Sequence, residues 1–84
     1  MNFGKAIEAL KDGKAVRRTG WNGKGLALEL QVPDEHSKMT LPYIYMVYPS
    51  YPASMTAPAN HLNARVPWMA SQTDMLAEDW EIIA

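Results

Sequence analysis

Apolar residues recur early in the chain at Phe3, Ile7 and Leu10, flanked by Ala6 and Ala9, with Lys5, Glu8, Lys11 and Asp12 between them. That spacing follows a 3.6-residue turn and predicts a helix over residues 3–12 with a Phe3-Ile7-Leu10 stripe facing a core. Asn2 suits the N-cap, because its side-chain oxygen can accept an otherwise unpaired N–H of the first turn. Gly13 suits the left-handed residue that ends such a helix. Beyond it the pattern shortens to a period of two. Residues 14–18 read as a short strand. In residues 26–32 Leu26, Leu28, Leu30 and Val32 alternate with Ala27, Glu29 and Gln31, the pattern of a half-buried strand. Between the two strands lies Gly20-Trp21-Asn22-Gly23-Lys24-Gly25, where Asn-Gly within a glycine cluster signals a tight turn.

Residues 33–40 are polar and read as a loop. Residues 43–48 hold Tyr43, Tyr45, Tyr48 and Val47 and predict a third strand. Pro49, Pro52 and Pro58 then mark residues 49–60 as an excursion without long regular structure. Residues 64–69 return as a strand that Pro67 confines to an edge or a bulge, since proline cannot donate to a ladder. Ser71 followed by Asp74 resembles a capping box, with Asp in place of the usual Glu, opening a helical turn over residues 72–77. Residues 80–83 form the last strand. The expected class is α+β, in one domain spanning 1–84: an N-terminal helix packed on a mainly antiparallel sheet of about four to five short strands, with a short helical turn near the C-terminus.

Composition narrows this further. At 84 residues and 9.4 kDa, a chain buries only about 60% of the surface its unfolded form exposes. Its 48% hydrophobic and 20% charged residues exclude disorder by composition. The absence of cysteine excludes a disulfide scaffold, a thiolate zinc site and a cysteine nucleophile. A net charge of −1 argues against a DNA or RNA partner. No apolar run approaches the roughly 18 residues of a membrane span, and the charged N-terminal turns are unlike a signal peptide. The expectation is a soluble cytoplasmic domain. A marginal core and the Tyr43, Tyr45 and Tyr48 run point to an oligomer.

The near-neutral total hides a gradient. Residues 1–25 hold six basic residues against Glu8 and Asp12, a local charge of +4, whereas Asp74, Glu78, Asp79 and Glu81 give the last eleven residues −4. Two readings follow: complementary surfaces that bring ends or protomers together, or an anion site on the N-terminal third.

Catalytic chemistry is thinly represented. His36 and His61 are 25 residues apart in predicted loops, without metal-ligand spacing, and no metal site is expected. Ser50, Ser54 and Ser71 lack a nucleophile-elbow sequence. Glu78 and Asp79 fit a solvated turn better than an acid-base pair. A binding site is better supported. Trp21 stands in the glycine turn with Asn22 and Lys24, where Arg17, Arg18 and exposed backbone N–H groups could meet an anion, although this is not a Walker A loop. The other reading of this turn is a tight hairpin whose Trp21 covers a neighbouring protomer. A second cluster is Trp68 with Ser71, Gln72, Thr73 and Asp74: an indole to stack a base, and polar groups to read its edge. The alternative is a capped turn beside a core tryptophan. Trp80 opens an apolar strand and reads as core.

The opening Met1-Asn2-Phe3-Gly4, the run Arg18-x-Gly20-Trp21-Asn22-Gly23-Lys24-Gly25 and the run Pro67-Trp68-x-Ala70-Ser71-Gln72-Thr73-Asp74-Met75-Leu76-Ala77-Glu78-Asp79-Trp80 resemble the Thoeris anti-defence protein 2 family of small phage and prophage domains. The match covers both ends of the chain; residues 33–65 correspond to the variable part of that family. The resemblance implies a homotetrameric sponge in the bacterial cytoplasm that binds cyclic ADP-ribose-type signals, notably glycocyclic ADP-ribose, without cleaving them. Some relatives also hold cyclic dinucleotides of the CBASS type. By motif match the ligand role falls on Trp21, Asn22, Lys24, Trp68, Ser71, Gln72, Thr73 and Asp74, with no cofactor and with sites between protomers. The competing classes are a phosphodiesterase acting on the same signal and a phage protein-interaction module.

Overall fold

The computed structural model describes residues 1–22, 25–48 and 64–83. The predicted excursion over 49–60, with Ser50 and Ser54, lies outside the described residues, as do His61 and Lys24. The elements run α1 (Phe3–Lys11), β1 (Val16–Arg18), β2 (Ala27–Gln31), β3 (Tyr43–Val47), β4 (Arg65–Pro67), α2 (Gln72–Leu76) and β5 (Trp80–Ile82). The strands form one antiparallel sheet in the order β4-β3-β2-β1-β5. The expected α+β class and its N-terminal helix are therefore present, and each predicted strand is trimmed by one to three residues.

Cap chemistry sets the helix bounds. The Asn2 side chain accepts from the Lys5 N–H at 2.9 Å, and Gly13, at φ +85°, turns the chain out of α1. The helix rests on the sheet differently from the predicted stripe. Ala6 and Ala9 are buried along with Leu10, whereas Phe3 and Ile7 are half-buried. The small alanine side chains let α1 approach the strands closely, leaving Phe3 and Ile7 to flank the contact.

Directly opposed residues in a sheet share a face. Pairing places Ile82, Val16, Leu28, Met46 and Val66 in one row across all five strands. Burial falls off along that row. Val16 and Leu28 are fully covered by α1, while Ile82 and Val66 at the two edges stand about half exposed. Burying a Val or Leu side chain contributes about 1.5–3 kcal/mol, so the centre of the row anchors the core. Val32 departs from the predicted alternation: it lies past the end of β2, and is 66% exposed. Pro67 sits in edge strand β4 opposite Tyr45, where its missing N–H costs no ladder bond.

The other sheet face carries polar pairs. Arg17 donates to Glu81 at 2.6 Å, and the Tyr45 hydroxyl donates to Glu29 at 2.5 Å. Burial and the Glu29 carboxylate hold the Tyr45 hydroxyl above its ordinary pKa, although Arg65 opposes this. The start of the chain is sewn to its last strand: the Met1 amino group donates to the carbonyls of Glu78 and Trp80, and the Trp80 N–H donates to the Met1 carbonyl.

Candidate functional site

Four aromatic rings meet where the β1–β2 turn approaches α2. Trp80 is 2% exposed and forms the floor. Phe3 lies 5.3 Å from it between ring centroids, Trp21 5.4 Å and Trp68 6.1 Å; the two indoles stand edge-on to it. Trp21 and Trp68 also meet edge to face at 6.5 Å. Such pairs contribute roughly 0.5–1.5 kcal/mol beyond the area they bury. Trp21 and Trp68 thus keep part of their faces open to solvent while their other edges are fixed on the core. The sequence places them on separate loops as free platforms; the fold makes them neighbours in one cluster.

Polar groups fix this arrangement. Arg18 donates through Nε to Asp79 Oδ1 at 2.8 Å and through Nη1 to Asp74 Oδ1 at 2.9 Å. The other oxygen of Asp79 accepts the Gly20 N–H at 2.9 Å. Asp74 closes the capping box of α2: its Oδ2 accepts from the Ser71 N–H and hydroxyl, while its own N–H donates to Ser71 Oγ. The Asp74 backbone carbonyl accepts the Trp80 indole N–H at 3.0 Å.

These contacts set the charge states. Burial pushes the Asp74 carboxyl up, but the Arg18 guanidinium, Ser71 and Trp21 outweigh it, leaving the group below its ordinary pKa. Asp79 is lowered by its hydrogen bond to Arg18, against burial, with help from the Gly20 N–H. Arg18 is raised by the same two carboxylates, Asp79 first. All three remain ionised through the neutral range.

The predicted site residues divide by position. Trp21, Trp68, Ser71 and Asp74 come together at the aromatic corner. Asn22, Gln72 and Thr73 are exposed beside them. Asp74 spends its carboxylate inside the protein, and the Ser71–Asp74 box occupies N–H groups that the sequence reading offers to an anion. Arg17 and Arg18 are likewise engaged, each paired with carboxylates of the acidic C-terminal segment, in the sense of the complementary-surface reading. Glu78 and Asp79 are not simply a solvated turn, since Asp79 is bound to Arg18. Sequence reasoning missed Phe3 as a member of this corner, missed Asp79, and offered Arg18, beside Trp21, to an anion. The charge gradient was the available signal for the last two.

Trp68 also forms one wall of an apolar groove of about 570 Å³ with Met39, Leu41, Pro42, Tyr43 and Ile44. An adjoining hollow of about 720 Å³ shares Leu41 through Ile44 and Trp68, and extends to Ile7, Leu10 and Lys11 on α1. The loop of residues 33–42 supplies a rim that its polar composition does not announce.

Together these features define a small α+β domain, a helix on one face of a five-stranded antiparallel sheet, with three tryptophans, Phe3 and the ion pairs of Arg18 gathered at one corner. The chain belongs to the Thoeris anti-defense 2-like domain family, whose model matches residues 1–83. It is similar to the Thoeris anti-defense 2 protein of Bacillus phage SP01, at 37% identity over 89 residues covering 100% of this chain and 96% of that protein.

Proposed function

We propose that this chain, which takes a phage anti-defence role from its family, works as a sponge: it binds and sequesters a cyclic ADP-ribose-type immune signal, glycocyclic ADP-ribose foremost, without cleaving it. Cyclic dinucleotides of the CBASS type are a second ligand class. The carrying observation is the Trp21–Trp68 pair, two half-open indoles held at a fixed angle on a buried floor. A base or ribose face can stack on such a surface. Gln72, Thr73 and Asn22 stand exposed beside it to meet polar edges, while Ser71 and Asp74 shape the wall. Lys24, in the same turn as Trp21, supplies charge to a phosphate.

Two observations favour sequestration over hydrolysis. The carboxylates nearest the indoles are kept ionised and fully engaged by Arg18, Ser71 and Gly20, which suits them to holding loops in place and unfits them as general acids. The open faces of the cluster are aromatic, not acidic. Arg18, the arginine at this corner, is neutralised within the chain by Asp74 and Asp79. Enclosing an anionic ligand therefore calls for a second protomer, consistent with a homotetramer in the host cytoplasm whose sites lie between copies. The exposed Tyr43, Leu41 and Met69 side chains offer apolar surface for that contact.

The test is recovery of the ligand. Protein is incubated with the cyclic signal, washed, and denatured by heat, and the supernatant is analysed by mass spectrometry. Intact signal in stoichiometric amount is the expected result. A hydrolysed product would establish the phosphodiesterase instead. Binding to a protein partner, with no thermal shift from any nucleotide, would establish an interaction module. Light scattering that finds a stable monomer at micromolar concentration would remove the shared site.

A further inference from the structure

We propose that Arg18, Asp79 and Gly20 are positioning residues for the candidate site: a clasp that locks the turn bearing Trp21 onto the α2 segment that follows Trp68, and so sets the angle between the two indoles. The inference rests on the reading that these indoles hold the ligand.

Trp21 and Trp68 belong to different connections, one between β1 and β2 and the other between β4 and α2. Ring contacts hold them together, yet edge-to-face contacts tolerate sliding, because the attraction varies gently with offset. Hydrogen bonds of 2.8–2.9 Å do not. Arg18 sits three residues before Trp21 on β1, and the Trp21 N–H donates back to the Arg18 carbonyl at 3.2 Å. The guanidinium of Arg18 reaches two carboxylates on successive segments: Asp74 within the first turn of α2, and Asp79 just before β5. Its side chain is 17% exposed, so water competes poorly for these bonds. Asp79 returns the contact, accepting the Gly20 N–H on one carboxylate oxygen and the Thr19 N–H on its backbone carbonyl at 3.0 Å. The loop from residues 18 to 21 is thereby held on both sides.

Glycine at position 20 follows from this closeness. A Cβ on Gly20 would stand 2.8 Å from Asp79 Oδ2, inside any real carbon–oxygen contact. A side chain there requires the Asp79 carboxylate to shift, which disturbs the oxygen that accepts the Gly20 N–H and the group that holds Arg18. A planar fork is required at position 18 for a similar reason. A lysine ammonium keeps the charge but cannot present two fixed N–H groups to carboxylates on different segments.

Arg18→Lys and Gly20→Ala are compared with Arg17→Lys, which alters the matching ion pair on the opposite face of the sheet. Far-ultraviolet circular dichroism reports folding, the indole bands of the near-ultraviolet report the mutual orientation of the tryptophans, and calorimetry with glycocyclic ADP-ribose as probe reports affinity. Arg18→Lys and Gly20→Ala are expected to keep the far-ultraviolet spectrum, reshape the near-ultraviolet bands and weaken binding at least tenfold. Arg17→Lys should leave all three unchanged. Unaltered indole bands and affinity in Gly20→Ala would overturn the proposal; because that variant keeps every charged group, it decides the matter even if Arg18→Lys does not fold. Should the unsubstituted protein bind no probe, the sequestration reading fails, while the near-ultraviolet comparison still decides whether the clasp orients the indoles.

Discussion

Replacing Trp80 with alanine is the sharpest probe of how the aromatic corner is built. Trp80 is 2% exposed, touches Phe3, Trp21 and Trp68, and donates its indole N–H to the Asp74 carbonyl. An aromatic side chain of this kind buries about 150–250 Å², which at about 25 cal/mol per Å² is worth roughly 4–6 kcal/mol. Core Trp→Ala substitutions cost about 3–5 kcal/mol once partial collapse of the cavity is included. The lost hydrogen bond adds little, since the Ala77 N–H also reaches the Asp74 carbonyl, at 3.4 Å. A loss of about 4 kcal/mol is therefore expected. At 0.05–0.15 kcal/mol per residue, the stability of a domain this size is roughly 4–13 kcal/mol, so the variant stands near the limit of folding. Urea denaturation followed by far-ultraviolet circular dichroism, at one fixed protomer concentration, measures this directly. The corresponding fall in melting temperature is roughly 16–32 °C. A loss below about 1 kcal/mol, the size of an ordinary surface change, would show that Trp80 is not the floor of the cluster.

Trp21→Ala and Trp68→Ala should stay folded and lose about 1–3 kcal/mol of affinity for the cyclic signal by calorimetry; if both unfold and Trp80→Ala binds normally, core and site have been exchanged. Stability should fall on acidification below about pH 4, because Asp74 and Asp79 titrate lower in the folded chain than in the unfolded one. Their contribution is present above the ordinary carboxylate range and disappears as pH drops through the folded values; urea midpoints that do not change between pH 6 and pH 3 would contradict it. Gly13→Ala should cost about 1 kcal/mol through backbone conformation alone, since Gly13 sits at φ +85° with no atom within 4 Å of an added Cβ. An unaltered urea midpoint would show that α1 does not need that turn.

Much of the fold was legible because its signals are local. The Asn2 cap, the turn at Gly13, the alternation through Leu28 and Leu30, and the Ser71–Asp74 box each act within four residues of chain, and each appears where the pattern predicts. Pro67 marked an edge strand because a missing donor can be tolerated there. The candidate site was legible as a list of residues but not as a shape. Nothing near Arg18 in the sequence announces partners 56 and 61 residues away. Trp21 looked free because glycine turns lack core neighbours in sequence, yet Trp80 reaches it from the far end of the chain. Ala6 and Ala9 were read as flanks of a larger stripe, since periodicity identifies a face but not which of its residues approach closest.

The placement of β5 beside β1 has a consequence for how the chain comes into being. During synthesis α1, β1 and the β2–β3 hairpin emerge early, but Val16 meets its second strand partner, and Arg18 its strand partner, only when Ile82 and Trp80 arrive. Closing loops of more than 60 residues delays folding, although each doubling of loop length adds only about 0.6 kcal/mol of entropic cost. Until that moment the edge of β1 is unpaired and α1 rests on a core without its largest ring. A chain that lacks this strand is thus an unfinished sheet, and the ion pairs that clasp Arg18 cannot form before residues 74 and 79 are made.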